Sequence, residues 1–143
     1  MIDNNEWLDH LIQNRRSVYP RDFNTQPVKD RIIKKMLENA NWAPTHKFTE
    51  PWRFHVFAGE SLKEFARFQA DRYKSISGEA FKEEKYQKLQ LNPLKASHII
   101  SIGMKRHKDI VPEVEEIMAV ACAVQNMQLT ATAYGVGCYW STG

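Results

Sequence analysis

The segment from Ile117 to Gly143 contains no charged side chain, although 26% of the whole sequence is charged. Its uninterrupted apolar run ends at Val124, where three amide side chains begin to interrupt it. That run is too short for a transmembrane helix. A helix without a charged face has to be covered on nearly all sides. The sequence therefore predicts a buried helix, either in a core or in a contact between subunits.

Hydrophobic spacing predicts the other elements. Helical spacing covers 7–12, 28–40, 60–73, 79–91 and 113–134, with Pro27 in the first turn of the second helix. Strands are predicted at 53–59 and 97–104, and Cys138 begins a third strand after two helix-ending glycines. The strand at 97–104 is nearly continuously apolar and is expected to be central in its sheet. Strands that feed helices indicate an α/β or α+β fold.

Length and charge narrow the class of protein. A chain of 143 residues with 43% apolar content predicts a single domain spanning 1–143. The net charge of +3 is mild and suits an anionic cofactor as well as a polymer. Lysines between 79 and 88 alternate with glutamates, which argues against a helical domain that binds nucleic acid. We therefore expect neither a nucleic-acid nor a membrane partner.

The cysteines and the N-terminus indicate the compartment. Cys122 and Cys138 lie in apolar surroundings without CxxC spacing, which predicts buried reduced thiols, a disulfide between them being the alternative. Asp3 and Glu6 stand where a signal peptide would be apolar. These features predict a cytoplasmic protein.

The first predicted helix delivers the residues "NRRS" at its end. Arg15, Arg16 and Ser17 offer two guanidinium forks and a hydroxyl, a combination suited to binding a phosphate. The alternative is that the two cations complement the dipole at the C-terminus of the helix. Both interpretations stay open at this point.

The connector "WAPTHKFTEPWRF", from Trp42 to Phe54, joins a predicted helix to a predicted strand. Its prolines and its lack of glycine predict a rigid segment. His46 either donates to the polar edge of a cofactor or fills space in a core. Trp42 and Trp52 either stack on a planar ligand or belong to the core.

Motifs of several enzyme classes are missing from the sequence. The five histidines fall in separate elements, so we expect no metal site. "GVGCYW" follows a helix and enters a strand, the reverse of the order in a dinucleotide-binding fold. Neither a GxSxG elbow nor a cysteine with an arranged base is present. Chemistry in this chain would therefore come from a bound cofactor, and we nominate no catalytic residue.

Taken together, "NRRS", "APTHKFTEPWRF" and "GVGCYWSTG" resemble the FMN-dependent nitroreductase family in order and spacing along the whole chain. The resemblance is nearest to small nitroreductases whose connector reads "APxHKxxxPWRF". It implies an α+β fold with a central mixed sheet between helix layers, a homodimer, and the long uncharged helix at the dimer interface.

The resemblance also implies a site and a reaction. FMN would lie at the interface, with its phosphate and ribityl chain on Arg15, Arg16 and Ser17. Its ring would be lined by Trp42, Pro44 and His46 of one subunit and by Trp140, Ser141 and Thr142 from the side of the other. NAD(P)H would reduce the flavin, and a nitroaromatic, quinone or enone would then be reduced.

Two features depart from the family pattern. Phe48 and Glu50 replace the usual Asn and Gln of the connector, which hydrogen-bond the flavin in relatives. The chain also stops where relatives continue, so the resemblance implies that the C-terminal part of the usual domain is missing.

Overall fold

The structure is a computed structural model that describes residues 4–141. Its α-helices are α1 (Asn4–Asn14), α2 (Asp30–Ala40), α3 (Glu60–Ser77), α4 (Glu83–Leu91) and α5 (Glu113–Ala133). Its strands are β1 (Trp52–Ala58) and β2 (His98–Met104), which pair in a small antiparallel sheet. None of the helices in this range combines the length and the apolar content that a membrane crossing requires.

The described residues group into two compact units. The first unit contains residues 4–17, 28–54 and 102–138, and the second contains 18–27, 55–101 and 139–141. In the second unit α3 packs on α4, with Leu62, Ala66 and Ala70 buried along one face of α3. The aromatic rings of Tyr73 and Phe81 lie 5.7 Å apart beside them.

The core of the first unit lies between α2 and α5. Ile33 and Met36 of α2 are buried, and burial of a side chain of this size contributes about 1.5–3 kcal/mol. Ala123 and Ala131 of α5 are fully buried and let the two helices approach closely. A side-chain hydrogen bond also joins the two helices: Asn39 Nδ2 donates to Thr130 Oγ1 at 2.9 Å.

The long helix predicted from its lack of charge is present, but it is not covered on all sides. One face of α5 packs in the core, whereas an apolar stripe on another face is exposed, namely Val114, Ile117, Met118 and Cys122. The prediction that Cys122 is buried is therefore wrong. Both cysteines are free, as predicted, and burial raises the pKa of the Cys138 thiol.

Several predicted boundaries need correction. α2 begins at Asp30, so Pro27 lies outside its first turn. The helix predicted over 79–91 begins only at Glu83, because α3 runs on to Ser77 and is followed by Gly78 with φ +48°.

The predicted third strand is wrong in the described residues. Cys138 makes a single parallel bridge to Ser17, and Tyr139 and Trp140 form no strand. Likewise β2, predicted to be central, has only β1 as a hydrogen-bonded neighbour within residues 4–141.

Candidate functional site

The end of α1 places Arg15 against the long helix. The Arg15 backbone N–H still donates to Leu11 O at 3.1 Å, so the helical path continues to this residue. Its guanidinium then donates from Nη1 to Gln128 Oε1 of α5 at 3.2 Å. Two residues on, Ser17 bridges to Cys138. Arg15 is therefore fixed to α5, and Ser17 to the segment that follows it.

Arg16 is held differently. Its Nη1 donates to the carbonyls of Gln13, in a short contact, and of Arg15 at 3.0 Å. These contacts agree with the alternative prediction for Arg16, that it is a cation that complements the dipole at the C-terminus of a helix. Among residues 4–141, however, no carboxylate forms an ion pair with Arg15 or Arg16. Two residues adjacent in sequence, Arg15 and Arg16, thus carry guanidinium groups whose charge is not compensated by an acid of the described residues.

The two tryptophans of the connector have opposite environments. Trp52 is 5% exposed, and its Nε1 donates to Asn41 Oδ1 at 2.9 Å. Trp52 is thus a core residue with its polar group satisfied. Trp42 is 85% exposed and belongs to neither core. Of the two, only Trp42 is available to a ligand.

The connector turns sharply without glycine. Lys47, Phe48 and Glu50 have φ of +50°, +53° and +40°, in the left-handed region. Two hydrogen bonds hold this turn: the Thr45 and Thr49 hydroxyls lie 3.0 Å apart, and Glu50 N–H donates to Thr45 Oγ1 at 3.2 Å. Backbone strain of this kind persists where the surroundings enforce it, and it is concentrated at functional sites. The predicted rigid connector is thus a braced, strained turn.

This strain predicts an unusual effect of glycine. Phe48 is 90% exposed, so Phe48→Gly removes little packing and relieves a left-handed conformation. After the entropy cost of glycine, we expect the free energy of unfolding to rise by about 0.5–1 kcal/mol in urea titrations. The matched control is Phe68→Gly in α3, also at an exposed phenylalanine, which should lower it by about 1 kcal/mol. A loss of stability in Phe48→Gly would show that the turn is unstrained.

The start of α5 holds the connector and the segment that follows β2. His46 Nδ1 lies 2.7 Å from Glu115 Oε2. The next residue, Glu116, is 1% exposed, accepts from His107 Nδ1 at 2.7 Å, and is ion-paired with Arg106. His107 N–H also donates to both oxygens of Glu116, at 3.1 and 3.2 Å. In the sequence these acids are only charges that a helix dipole favours at an N-terminus, and nothing there distinguishes the buried Glu116 from its more exposed neighbours.

The predicted site residues near the C-terminus are placed only in part. Trp140 is 52% exposed and Ser141 is exposed, and both belong to the second unit. Thr142 lies outside the described residues. The grouping of these three residues with the connector stays a prediction.

A cavity of about 570 Å³ opens in the first unit between α1, α2 and α5. Its aromatic lining includes Trp7, Trp42 and Tyr134, and Lys35 is among its polar lining residues. Among the predicted site residues that lie within 4–141, only Trp42 lines it, so this cavity is not the predicted cofactor pocket as a whole.

Comparison with known proteins identifies the family of this chain. The model of the nitroreductase family matches residues 12–143. YfhC of Bacillus subtilis (strain 168), named provisionally as an NAD(P)H nitroreductase, is 29% identical over 141 residues, which are 95% of this chain and 69% of that protein.

Solved structures agree. A nitroreductase-like family protein from Bacillus cereus superposes with a TM-score of 0.78 at 28% identity, covering 95% of this chain and 70% of the other. A nitroreductase from Desulfovibrio desulfuricans, solved in complex with FMN, gives a TM-score of 0.71 at 24% identity, covering 94% and 67%. At that identity the second likeness supports the fold alone.

The chain belongs to the nitroreductase family. The predicted α+β fold of nitroreductase type is confirmed. The prediction of a nitroreductase-type oxidoreductase is confirmed at the level of the enzyme class.

Proposed function

We propose that the chain binds FMN and transfers hydride from NAD(P)H, through the flavin, to nitroaromatic, quinone or enone-type acceptors. The observation that carries this proposal is the pair Arg15 and Arg16 beside Ser17, in a chain of this family. The pair is cationic, adjacent, and without a carboxylate partner in the described residues.

These residues fit the phosphate end of FMN. Guanidinium groups bind phosphate oxygens through paired N–H donors, and a serine hydroxyl adds a further donor. Arg15 donates to Gln128 from Nη1 alone, so the other N–H donors of the Arg15 guanidinium remain for a ligand. The backbone bridge between Ser17 and Cys138 fixes the position of Ser17. The donor set is therefore suited to a dianionic phosphate before any ligand arrives.

The residues proposed for the ring of the flavin would orient it and exclude water. Trp42, Pro44 and His46 are exposed on a connector fixed by the Thr45–Thr49 hydroxyl contact and by Glu115. Trp140, Ser141 and Thr142 would complete the wall from the other subunit. Bound FMN would itself supply the hydride-transfer chemistry, so no acid or base of the protein needs to make or break bonds.

We propose that the protein is a homodimer, supported by the exposed apolar stripe of α5, Val114, Ile117, Met118 and Cys122. Adjacent exposed apolar side chains of this kind mark an interaction surface. A second copy of α5 would cover the stripe and explain why so little of this helix is polar. The proposal includes a cytoplasmic location, which two free cysteines support.

The dimer gives a direct prediction. Met118 is 60% exposed, and Met118→Ala should raise the dimer dissociation constant about tenfold, because apolar contact is lost on both copies. Sedimentation across a concentration series measures it. Ile76→Ala in α3 is the control, since Ile76 is a similarly exposed apolar residue, at 64%, on a different helix. Equal effects of the two substitutions, or a wild-type monomer, would refute the proposed interface.

The function is tested by steady-state kinetics with purified protein. We expect NAD(P)H oxidation that requires both added FMN and an acceptor such as 4-nitrobenzoate. FMN binding without turnover would instead favour the alternative function, a flavin-binding module. Absence of FMN binding would contradict both.

A further inference from the structure

The hydrogen bond of His46 determines which of its ring nitrogens faces a ligand. Nδ1 lies 2.7 Å from Glu115 Oε2. A carboxylate can only accept a hydrogen bond, so Nδ1 must carry the proton. In the neutral imidazole the other nitrogen, Nε2, then has a free lone pair. Among residues 4–141 no hydrogen bond to Nε2 is present. The neutral form of His46 therefore offers an acceptor, and not a donor, away from α5.

Both partners of this bond are held by other contacts. His46 begins the strained turn that the Thr45 and Thr49 hydroxyls brace, and Lys47 Nζ reaches Ile110 O at 3.5 Å. Glu115 is in the first turn of α5, next to Glu116, which anchors that turn to Arg106 and His107. A polar group held on a rigid element in this way is placed with the accuracy that ligand recognition needs.

We propose that Glu115 is a positioning residue, which fixes the Nδ1–H tautomer of His46 so that Nε2 accepts a hydrogen bond from an N–H donor of the bound isoalloxazine ring. This inference rests on the proposed function. With the other tautomer, an N–H of His46 would face an N–H of the ring, and the hydrogen bond would be lost. The side chain of Glu115 is 39% exposed and makes no contact with the ligand in this scheme.

The tautomer is measured without FMN. Nitrogen-15 NMR of the neutral imidazole distinguishes a protonated Nδ1 from a protonated Nε2. We expect Nδ1–H in the wild type, a shift toward Nε2–H in Glu115→Ala, and recovery of Nδ1–H in Glu115→Gln, whose amide oxygen also accepts. A wild type with Nε2–H overturns the proposal even if the alanine variant does not fold.

Binding of FMN is the second readout. Quenching of flavin fluorescence should show a Kd raised about tenfold in Glu115→Ala and close to wild type in Glu115→Gln. Glu113→Ala is the matched control, because Glu113 is in the same turn of α5 and faces Arg106 at 3.8 Å. A changed tautomer with unchanged Kd, or an equal loss in Glu113→Ala, overturns the proposal. If the wild type shows Nδ1–H but does not bind FMN, the proposed function has failed, and with it the role in binding, while the tautomer result stands.

Discussion

Replacing Arg15 with alanine is expected to raise the Kd for FMN about 100-fold, because a charge-assisted pair with the phosphate is lost. Arg15 is partly buried, is oriented by Gln128, and has no carboxylate partner in the described residues. Its charge is therefore available to the ligand at little desolvation cost. Fluorescence titration measures the change. Arg15→Lys should recover only part of the affinity, since an ammonium group cannot form the paired contact.

Riboflavin gives the sharpest control, because it has the same ring and lacks the phosphate. Its affinity should fall much less than that of FMN in Arg15→Ala, because riboflavin keeps the ribityl chain and lacks only the phosphate contact. Arg21→Ala tests for a general charge effect, since the Arg21 side chain is 78% exposed and contacts Asp22. Equal losses for FMN and riboflavin would mean that Arg15 supports the fold and does not bind phosphate.

Replacing Glu116 with alanine is expected to lower the free energy of unfolding by about 3–5 kcal/mol. Glu116 is 1% exposed, and its carboxylate binds Arg106 and both nitrogen donors of His107. Alanine would leave these donors without an acceptor in a partly buried position. Urea unfolding followed by circular dichroism measures the loss.

Glu113→Ala is the control for this prediction as well. Glu113 lies on the same helix and approaches the same arginine, but its side chain is 64% exposed. An exposed ion pair contributes about 0–1 kcal/mol, so the loss should be small. Similar losses of unfolding free energy in the two variants would show that the buried contacts of Glu116 with Arg106 and His107 do not stabilise the protein.

The helices of the core could be predicted from the sequence because the spacing of apolar residues along a helix is a local pattern. α5 occupies 113–133, one residue short of the prediction, since an uncharged segment with acids at its start has few alternatives. The exposed face of the same helix could not be predicted. Apolar residues at Met118 and at Ala123 look alike in sequence, and only packing against α2 separates them.

The candidate site was predictable where its residues are adjacent in the chain. Arg15, Arg16 and Ser17 are consecutive at a helix end, so their proximity needed no tertiary information. The residues that orient the site could not be predicted from the sequence. Gln128 orients Arg15 and Glu115 orients His46, and each partner lies far along the chain from the residue it orients. The left-handed turn at Lys47 to Glu50 also gave no signal, because such turns are normally recognised by glycine or asparagine.

The central claim is most directly tested by an anaerobic visible spectrum of the purified chain with FMN. We predict that NAD(P)H abolishes the absorbance bands of protein-bound flavin, and that 4-nitrobenzoate then restores them. Bands that persist after NAD(P)H, or a protein that retains no flavin on gel filtration, would contradict the assignment as an FMN-dependent oxidoreductase.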